Sequence, residues 1–405
     1  MIRMAALCAI SFVSMVGYAM ARTPIEAIFI EDWGRDAMPL AWLGIAVGAV
    51  ALVSLWDRIS TRLSLPRMLF LLSAASGVGF ALLLLAMEAG LPQASFLAYI
   101  FKDLYIVLLV ETFYAFANST YPLKTARWAY GLFGIMASLG GRVGNKAIEP
   151  LATSMGTERV PWLVLPSLIL VCFFVGWIAH GSDRKESFKP QSADGDKPGL
   201  MLALKTVQKS RYLLWLVFLI ASVQLATNLI EYVYQGYLET HFVLPAERAG
   251  ISGDVYAAID DFTLAFNLAA GLVLRHLGVS LTLLVIPLLV GCSAGLTLVF
   301  PGFLALGACK VANKSFDYSL FRVAKEALYL PLSYDEKTKG KAVVDVLTYR
   351  VAKGGASLLT FALIVLGVQH LAMALALVLM GLWVACTLVA LKRYKALLVE
   401  REGGI

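Results

Sequence analysis

Lys310 and Lys314 lie four positions apart in a largely apolar stretch, Asp317, Arg322, Lys325 and Glu326 follow, and Asp345, Arg350 and Lys353 recur in the next such stretch. These side chains suit charge recognition rather than bond breaking. A phosphate-bearing ligand needs several donors on a rigid scaffold, where Arg grips two oxygens at once and Lys supplies a compact charge. Lys310, Lys314, Arg350 and Lys353 are the more interior and are expected to bind substrate. Arg322, Lys325, Glu326 and Asp345 approach the end of their segments and, with Lys124 and Arg127, are expected to gate it. The alternative for this second group is contact with the membrane interface.

Three further constellations have the same character. Arg22 and Glu26 are separated by four positions, hence on one helical face, and pairing lowers the cost of burying either; the alternative is a place at the interface, since both approach the outer end of the span. Arg142 and Lys146 repeat that interval beyond Gly131, Gly134, Gly140 and Gly141, which are expected to let helices approach closely. Asn118 follows Glu111 by seven positions, on about the same face, and Lys102 and Asp103 lie near one end of the same stretch. Arg22, Asn118, Arg142 and Lys146 are expected to join the binding set. Glu26, Glu111, Glu231, Asp260 and Asp317 are expected to balance charge or carry a coupling proton, since a carboxyl in an apolar run must be neutral, paired or wetted. An ion pair that merely fixes packing is the competing reading for Glu231. Asp260 and Asp261 are adjacent and point apart, so one of them at most is expected to face a cavity, with Asn267 one possible neighbour.

The elements that must hold these groups are membrane helices. Hydrophobic residues make up 60% of the 405 and charged ones 15%, against roughly half and a quarter in a soluble domain. Apolar segments at 5–30, 38–56, 67–89, 95–119, 126–148, 160–180, 211–238, 254–275, 279–299, 302–329, 341–367 and 369–391 are near or above the roughly 20 residues a helix needs to cross hydrocarbon. The first is taken as a span rather than a cleaved signal, and Pro24 within it predicts a kink or local break. The expected architecture is all-α: twelve transmembrane helices in two six-helix bundles, major-facilitator-like. Its divisions are a bundle over 1–181, a cytoplasmic linker over 182–210, a second bundle over 211–394 and a tail over 395–405. An equal partition about a long polar connection is expected of a transporter whose halves rock around a central site.

The net charge of +7 reads as topology, not as nucleic-acid affinity. Arg58, Arg62, Arg67, Lys124, Arg127, Lys337, Lys339, Lys341, Lys392, Arg393 and Lys395 fall in alternate connections, whereas Glu31, Asp32, Asp36, Glu149, Glu158, Glu239 and Glu247 fall in the others. Both termini are therefore expected in the cytoplasm, with the chain in the inner membrane. The five cysteines have no ligand spacing and read as small buried hydrophobes. No phosphate-binding Gly-x-x-x-x-Gly-Lys-Ser/Thr loop occurs, so no enzyme activity, cofactor or metal is called for, and a bound nucleotide would be cargo rather than fuel.

Two motifs carry a resemblance. Tyr318-Ser-Leu-Phe-Arg-Val-Ala-Lys-Glu-Ala-Leu-Tyr-Leu-Pro-Leu332 is followed by Glu336-Lys-Thr-Lys-Gly-Lys-Ala342 and Asp345. Phe113-Tyr-Ala-Phe-Ala-Asn118 precedes Lys124-Thr-Ala-Arg-Trp-Ala-Tyr-Gly-Leu-Phe-Gly134. With Arg22, Glu26 and Asn228-Leu-Ile-Glu231, the sequence resembles the ATP/ADP translocases of intracellular bacteria and plastids. That resemblance implies a twelve-helix transporter moving nucleotides by exchange or proton-linked uptake, with Glu231 at a functional acidic position. The chain departs from the pattern at Gln235, where many exchangers carry lysine, and at Arg322, where an acidic residue is common. The expected partners are an anionic small molecule, the lipid bilayer and a coupling proton, with the chain a monomer. Proton-coupled transport of a smaller organic anion or amphipathic compound remains open, as do a lipid flippase and a transporter-like sensor.

Overall fold

The computed structural model describes residues 2–60, 63–120, 123–180, 200–333, 336, 340, 341 and 343–402. Among these the structure is helical: α1 (Ile2–Trp33), α2 (Met38–Ser60), α3 (Leu65–Glu88), α4 (Pro92–Thr120), α5 (Leu123–Met155), α6 (Val164–His180), α7 (Leu200–Lys209), α8 (Arg211–His241), α9 (Pro245–Val299), α10 (Phe303–Phe316), α11 (Arg322–Ala327), α12 (Thr348–Val365) and α13 (Ala372–Glu402). Most of the polar stretch expected as a linker, 182–199, lies outside the described residues; its residues 200–209 form α7.

Proline and glycine punctuate the run. Pro66 sits in the first turn of α3, where a missing N–H costs nothing, and Pro92 and Pro245 open α4 and α9. Pro24, expected to give a kink or local break, does not break the first helix: α1 runs through it as one element. Inside a packed bundle, neighbouring groups can re-satisfy the backbone that a proline frees.

The expectation of twelve spanning helices in two six-helix bundles is corrected. Seven helices among the described residues are long and apolar enough to cross a membrane: Arg3–Trp33, Arg35–Leu52, Leu65–Glu88, Val160–His180, Arg211–His241, Pro245–Val299 and Gln369–Val399. The physical reasons are specific. Segments 254–275 and 279–299 follow each other within the one long run α9, which kinks between them at Gly278, whose φ of 70° is non-helical and only glycine adopts freely. Segments 95–119 and 126–148 carry Lys102, Asp103, Glu111, Lys124, Arg127, Arg142 and Lys146 along their helices. Segments 302–329 and 341–367 are broken into shorter pieces, with π-helical turns at Asp317–Phe321 and Val343–Leu347. What stands is an all-α, multi-pass membrane protein. Bulky apolar side chains such as Val78, Ile169 and Phe173, or Leu268, Val365 and Val378, are exposed as lipid-facing residues must be.

The chain forms two compact units: residues 1–37, 47–194 and 238–264 in the first, and 38–46, 195–237 and 265–405 in the second. In the first, α1 is the central helix, packed on α4, α5 and α6. Its contact with α5 depends on glycine, because a Cβ at Gly140 would collide with the Phe12 carbonyl and one at Gly144 with Val16 and Ala19. Gly131 and Gly134 on the same helix face open space instead, so only the second pair of the four expected glycines, Gly140 and Gly141, meets close neighbours. In the second unit, α8 and α10 carry the principal buried charges.

Candidate functional site

The charged side chains of the first unit converge on α1. Glu26 Oε1 accepts from the Lys102 ammonium of α4 at 3.1 Å, and Asp103 Oδ1 accepts from the same nitrogen at 3.1 Å. Lys102 is 1% exposed and stands 4.1 Å from the Tyr99 ring centroid. One turn earlier on α1, the Arg22 guanidinium lies 3.4 Å from the Tyr256 ring centroid and 5.0 Å from that of Tyr18. It donates to Asn145 Oδ1 on α5 at 3.3 Å, and Asn145 Nδ2 donates to Asp260 Oδ2 on α9 at 2.9 Å. Tyr18 Oη donates to Asp103 at 3.3 Å and closes the group. Arg22 Nε and Glu26 Oε2 are buried with no hydrogen-bond partner among the described residues.

The second unit repeats part of this design. Lys310 of α10, 1% exposed, donates to Glu231 Oε1 of α8 at 2.8 Å and lies 3.8 Å from the Tyr234 ring centroid. Gln235, one turn after Glu231, donates to the same oxygen at 2.9 Å. Lys314, one turn after Lys310, has no carboxylate within ion-pair distance among the described residues and stands 6.0 Å from the Tyr318 ring centroid. Beside these, Thr227 donates to Asn313 at 3.3 Å, and the Asn228 amide nitrogen is buried without a partner. The π-helical turn after α10 inserts an extra residue per turn, which re-aims the helix from Asp317 onward.

The remaining expected site residues fall elsewhere. Arg142 and Lys146, about half exposed, pair with Asp261 at 2.9 Å and Asp254 at 2.8 Å between α5 and α9. Glu111 and Asn118 are exposed on α4, and Asp317 is partly buried. Arg350 and Lys353 are partly buried on α12. Lys325 pairs with Asp345 at 2.8 Å, and Tyr329 Oη donates to the same carboxylate at 2.7 Å. Lys341 pairs with Glu326 at 2.6 Å, while Arg322 is exposed on α11. The side chains of Lys124 and Arg127 lie outside the described residues.

Lys102, Asn145 and Tyr256 belong to the first cluster and were not among the expected site residues. Lys102 carried a signal, being a lysine inside an apolar run. Asn145 and Tyr256 carried none, because their role comes from helices distant in sequence.

The geometry is one of buried, counter-charged networks. No group of three or more His, Cys, Asp or Glu among the described residues is placed to hold a metal ion. The family described as TLC ATP/ADP transporter matches residues 93–302 and 293–395. The chain belongs to that family. The chloroplastic ADP,ATP carrier protein 2 of Arabidopsis thaliana is 26% identical over 301 residues, covering 65% of this chain and 48% of the relative. ADP,ATP carrier protein 1 of Chlamydia trachomatis is 26% identical over 308 residues, covering 66% and 58%. The chain thus spans about half the length of the curated relatives it matches.

Among solved structures, the nucleoside transporter NupG superposes with a TM-score of 0.67 at 12% identity, covering 98% of this chain and 100% of that one. The POT family transporter PepTSo gives 0.68 at 13%, covering 97% and 98%. At such identity these likenesses speak to fold alone.

Proposed function

We propose that this chain carries an anionic solute across the bilayer, a nucleotide or related phosphorylated metabolite, by exchange or proton-coupled alternating access. The observation that carries the reading is the arrangement at α8 and α10. Lys310 and Lys314 bring two positive charges to one carboxylate, Glu231, and only Lys310 is in contact with it. Lys314 feels Glu231 and Asp317 without ion-pair contact to either among the described residues, so its ammonium is left to meet an incoming anion, and a phosphate group is the ligand class that such a charge attracts most strongly. The curated relatives are named as ADP,ATP carriers, which supports a nucleotide as the first cargo to test. The lysine- and arginine-rich connections support cytoplasmic termini in a bacterial inner membrane. The polar stretch at 182–210 supports a division of the chain into two moving halves.

A second reading has its own observation. Gln235 occupies Glu231 with a neutral amide where the family resemblance expects a further cation, so the site has one positive charge fewer. That favours a smaller or less charged organic anion.

The deciding measurement is uptake of labelled ADP and ATP into proteoliposomes preloaded with unlabelled nucleotide. Saturable exchange in the wild type, reduced in Lys314→Gln, is the expected result. Correctly inserted protein that moves no nucleotide, yet whose thermal stability responds to small phosphorylated or carboxylated metabolites, would replace the first reading with the second.

A further inference from the structure

The seam between α3 and α6 opens at one end. The helices run antiparallel: a Cβ at Gly77 would touch Leu168, and further along the Cys172 thiol donates to the Phe70 carbonyl at 3.7 Å. One turn beyond Cys172 the sequence places Gly176, where a Cβ would meet nothing within 4 Å. With no side chain there to fill the seam, a cavity of about 240 Å³ remains. Phe70 and Leu71 of α3 wall it on one side and Val175 and Ala179 of α6 on the other, so its surface is almost wholly apolar. Both helices are long and apolar enough to cross a membrane, and the exposed Phe173 and Trp177 beside the cavity mark this face of the unit as the lipid side.

Charge sits at the mouth. Exposed Arg67, in the first turn of α3, is the single charged residue lining the cavity among the described residues, and no carboxylate opposes it there. The N–H groups of Leu65 and Arg67 precede the first bond of the helix, from Met68 N–H to the Ser64 carbonyl at 2.9 Å, and the Ser64 side chain caps neither. Guanidinium and helix N-terminus thus direct positive charge at one place. Trp177, half-exposed in the last turn of α6, sets the depth, because tryptophan settles at headgroup level. Water has nothing to bind inside the hollow, since it needs two to four polar partners, whereas hydrocarbon fits it.

We propose that this groove holds an acyl chain of one anionic phospholipid, whose phosphate rests on Arg67 and the first turn of α3. Apolar walls and a cationic mouth then serve the two ends of a single lipid. A zwitterionic lipid presents the same phosphate but brings a cation of its own toward Arg67, so the site favours a headgroup of net negative charge. The groove lies on α3 and α6, apart from the charged networks of Arg22 and Lys310, and its occupancy is therefore independent of which solute is carried.

Native mass spectrometry of the full chain in detergent, titrated with phosphatidylglycerol or with phosphatidylcholine of the same acyl chains, tests the site. The wild type is expected to hold one phosphatidylglycerol about 5-fold more tightly than Arg67→Gln does, the worth of one basic residue beside an anionic headgroup, while phosphatidylcholine binding changes less. Arg67→Lys keeps most of the preference. Gly176→Leu, whose added atoms enter open space and not α3, fills the groove and lowers the occupancy of both lipids. Phosphatidylglycerol held equally by the wild type and Arg67→Gln overturns the proposal, as does unchanged occupancy in Gly176→Leu. Should Gly176→Leu not insert, Ala179→Leu fills the groove from an exposed position and is read in the same way.

The same preparation separates lipid from the other occupants. Phosphatidylglycerol that stays bound in millimolar inorganic phosphate supports a lipid, and its complete displacement by phosphate would give the cation to a free anion and overturn the proposal. Dimers in nanodiscs that Gly176→Leu dissociates would put a second copy of the chain in the groove, and they too overturn it.

Discussion

Glu231 and Lys310 are worth most to this protein as a pair. Lys310→Met strips the carboxylate of its ammonium, and removing one partner of a buried pair costs about 3–5 kcal/mol. The variant is therefore expected to melt at markedly lower temperature in detergent, with much of the loss restored by adding Glu231→Gln. Lys314 is the contrasting case, since it is in ion-pair contact with no carboxylate among the described residues and acts on Glu231 and Asp317 only at longer range. Lys314→Gln is expected to leave the melting temperature nearly unchanged while weakening ADP binding about 10-fold or more, the worth of one hydrogen bond to a charged group. Calorimetric titration alongside thermal unfolding separates the two effects. Part of this was legible in the sequence: a carboxyl in an apolar run announces that it needs a partner, as Glu231 does. Which lysine answers it was not, because Lys310 is 79 residues away and helical spacing relates only neighbours on one helix.

At the scale of elements, α1 and α5 meet through glycine. Gly140→Leu drives a side chain into the Phe12 carbonyl of α1, and overpacking of this kind costs typically about 1–3 kcal/mol or more where backbone is the obstacle. Gly131→Ala, with open space around it, is expected to be silent. Size-exclusion profiles of the two variants should differ accordingly, an aggregated or absent peak for the first and a normal one for the second. The glycine run was visible in sequence, but not which glycines touch a neighbour, since that depends on how α5 is rotated against α1. Gly278 makes the same point. Its positive φ kinks α9 between two apolar stretches that read as separate helices, and Gly278→Ala is expected to destabilise that kink by about 1 kcal/mol or more, measurable as a lower melting temperature.

For the whole molecule, the alternation of basic and acidic connections is expected to set orientation, with the termini in the cytoplasm. A reporter enzyme that matures only outside the cytoplasm should be inactive when fused after Ile405, and a fluorescent protein that matures inside should be bright; the opposite pattern would invert the topology. Composition alone made the all-helical, multi-pass class legible. The number of spanning helices was not, because the charges that lower the apolarity of α4 and α5 are the same ones that mark their segments as interesting. Each unit keeps a nearly solvent-free lysine neutralised by a glutamate on another helix, Lys102 by Glu26 and Lys310 by Glu231. In both, the acid is translated before the base. The ribosome thus delivers a helix with an unanswered carboxylate first, and each lysine-bearing helix can leave the insertion machinery only toward a partner already waiting in the lipid, so the order of synthesis is itself a constraint on assembly.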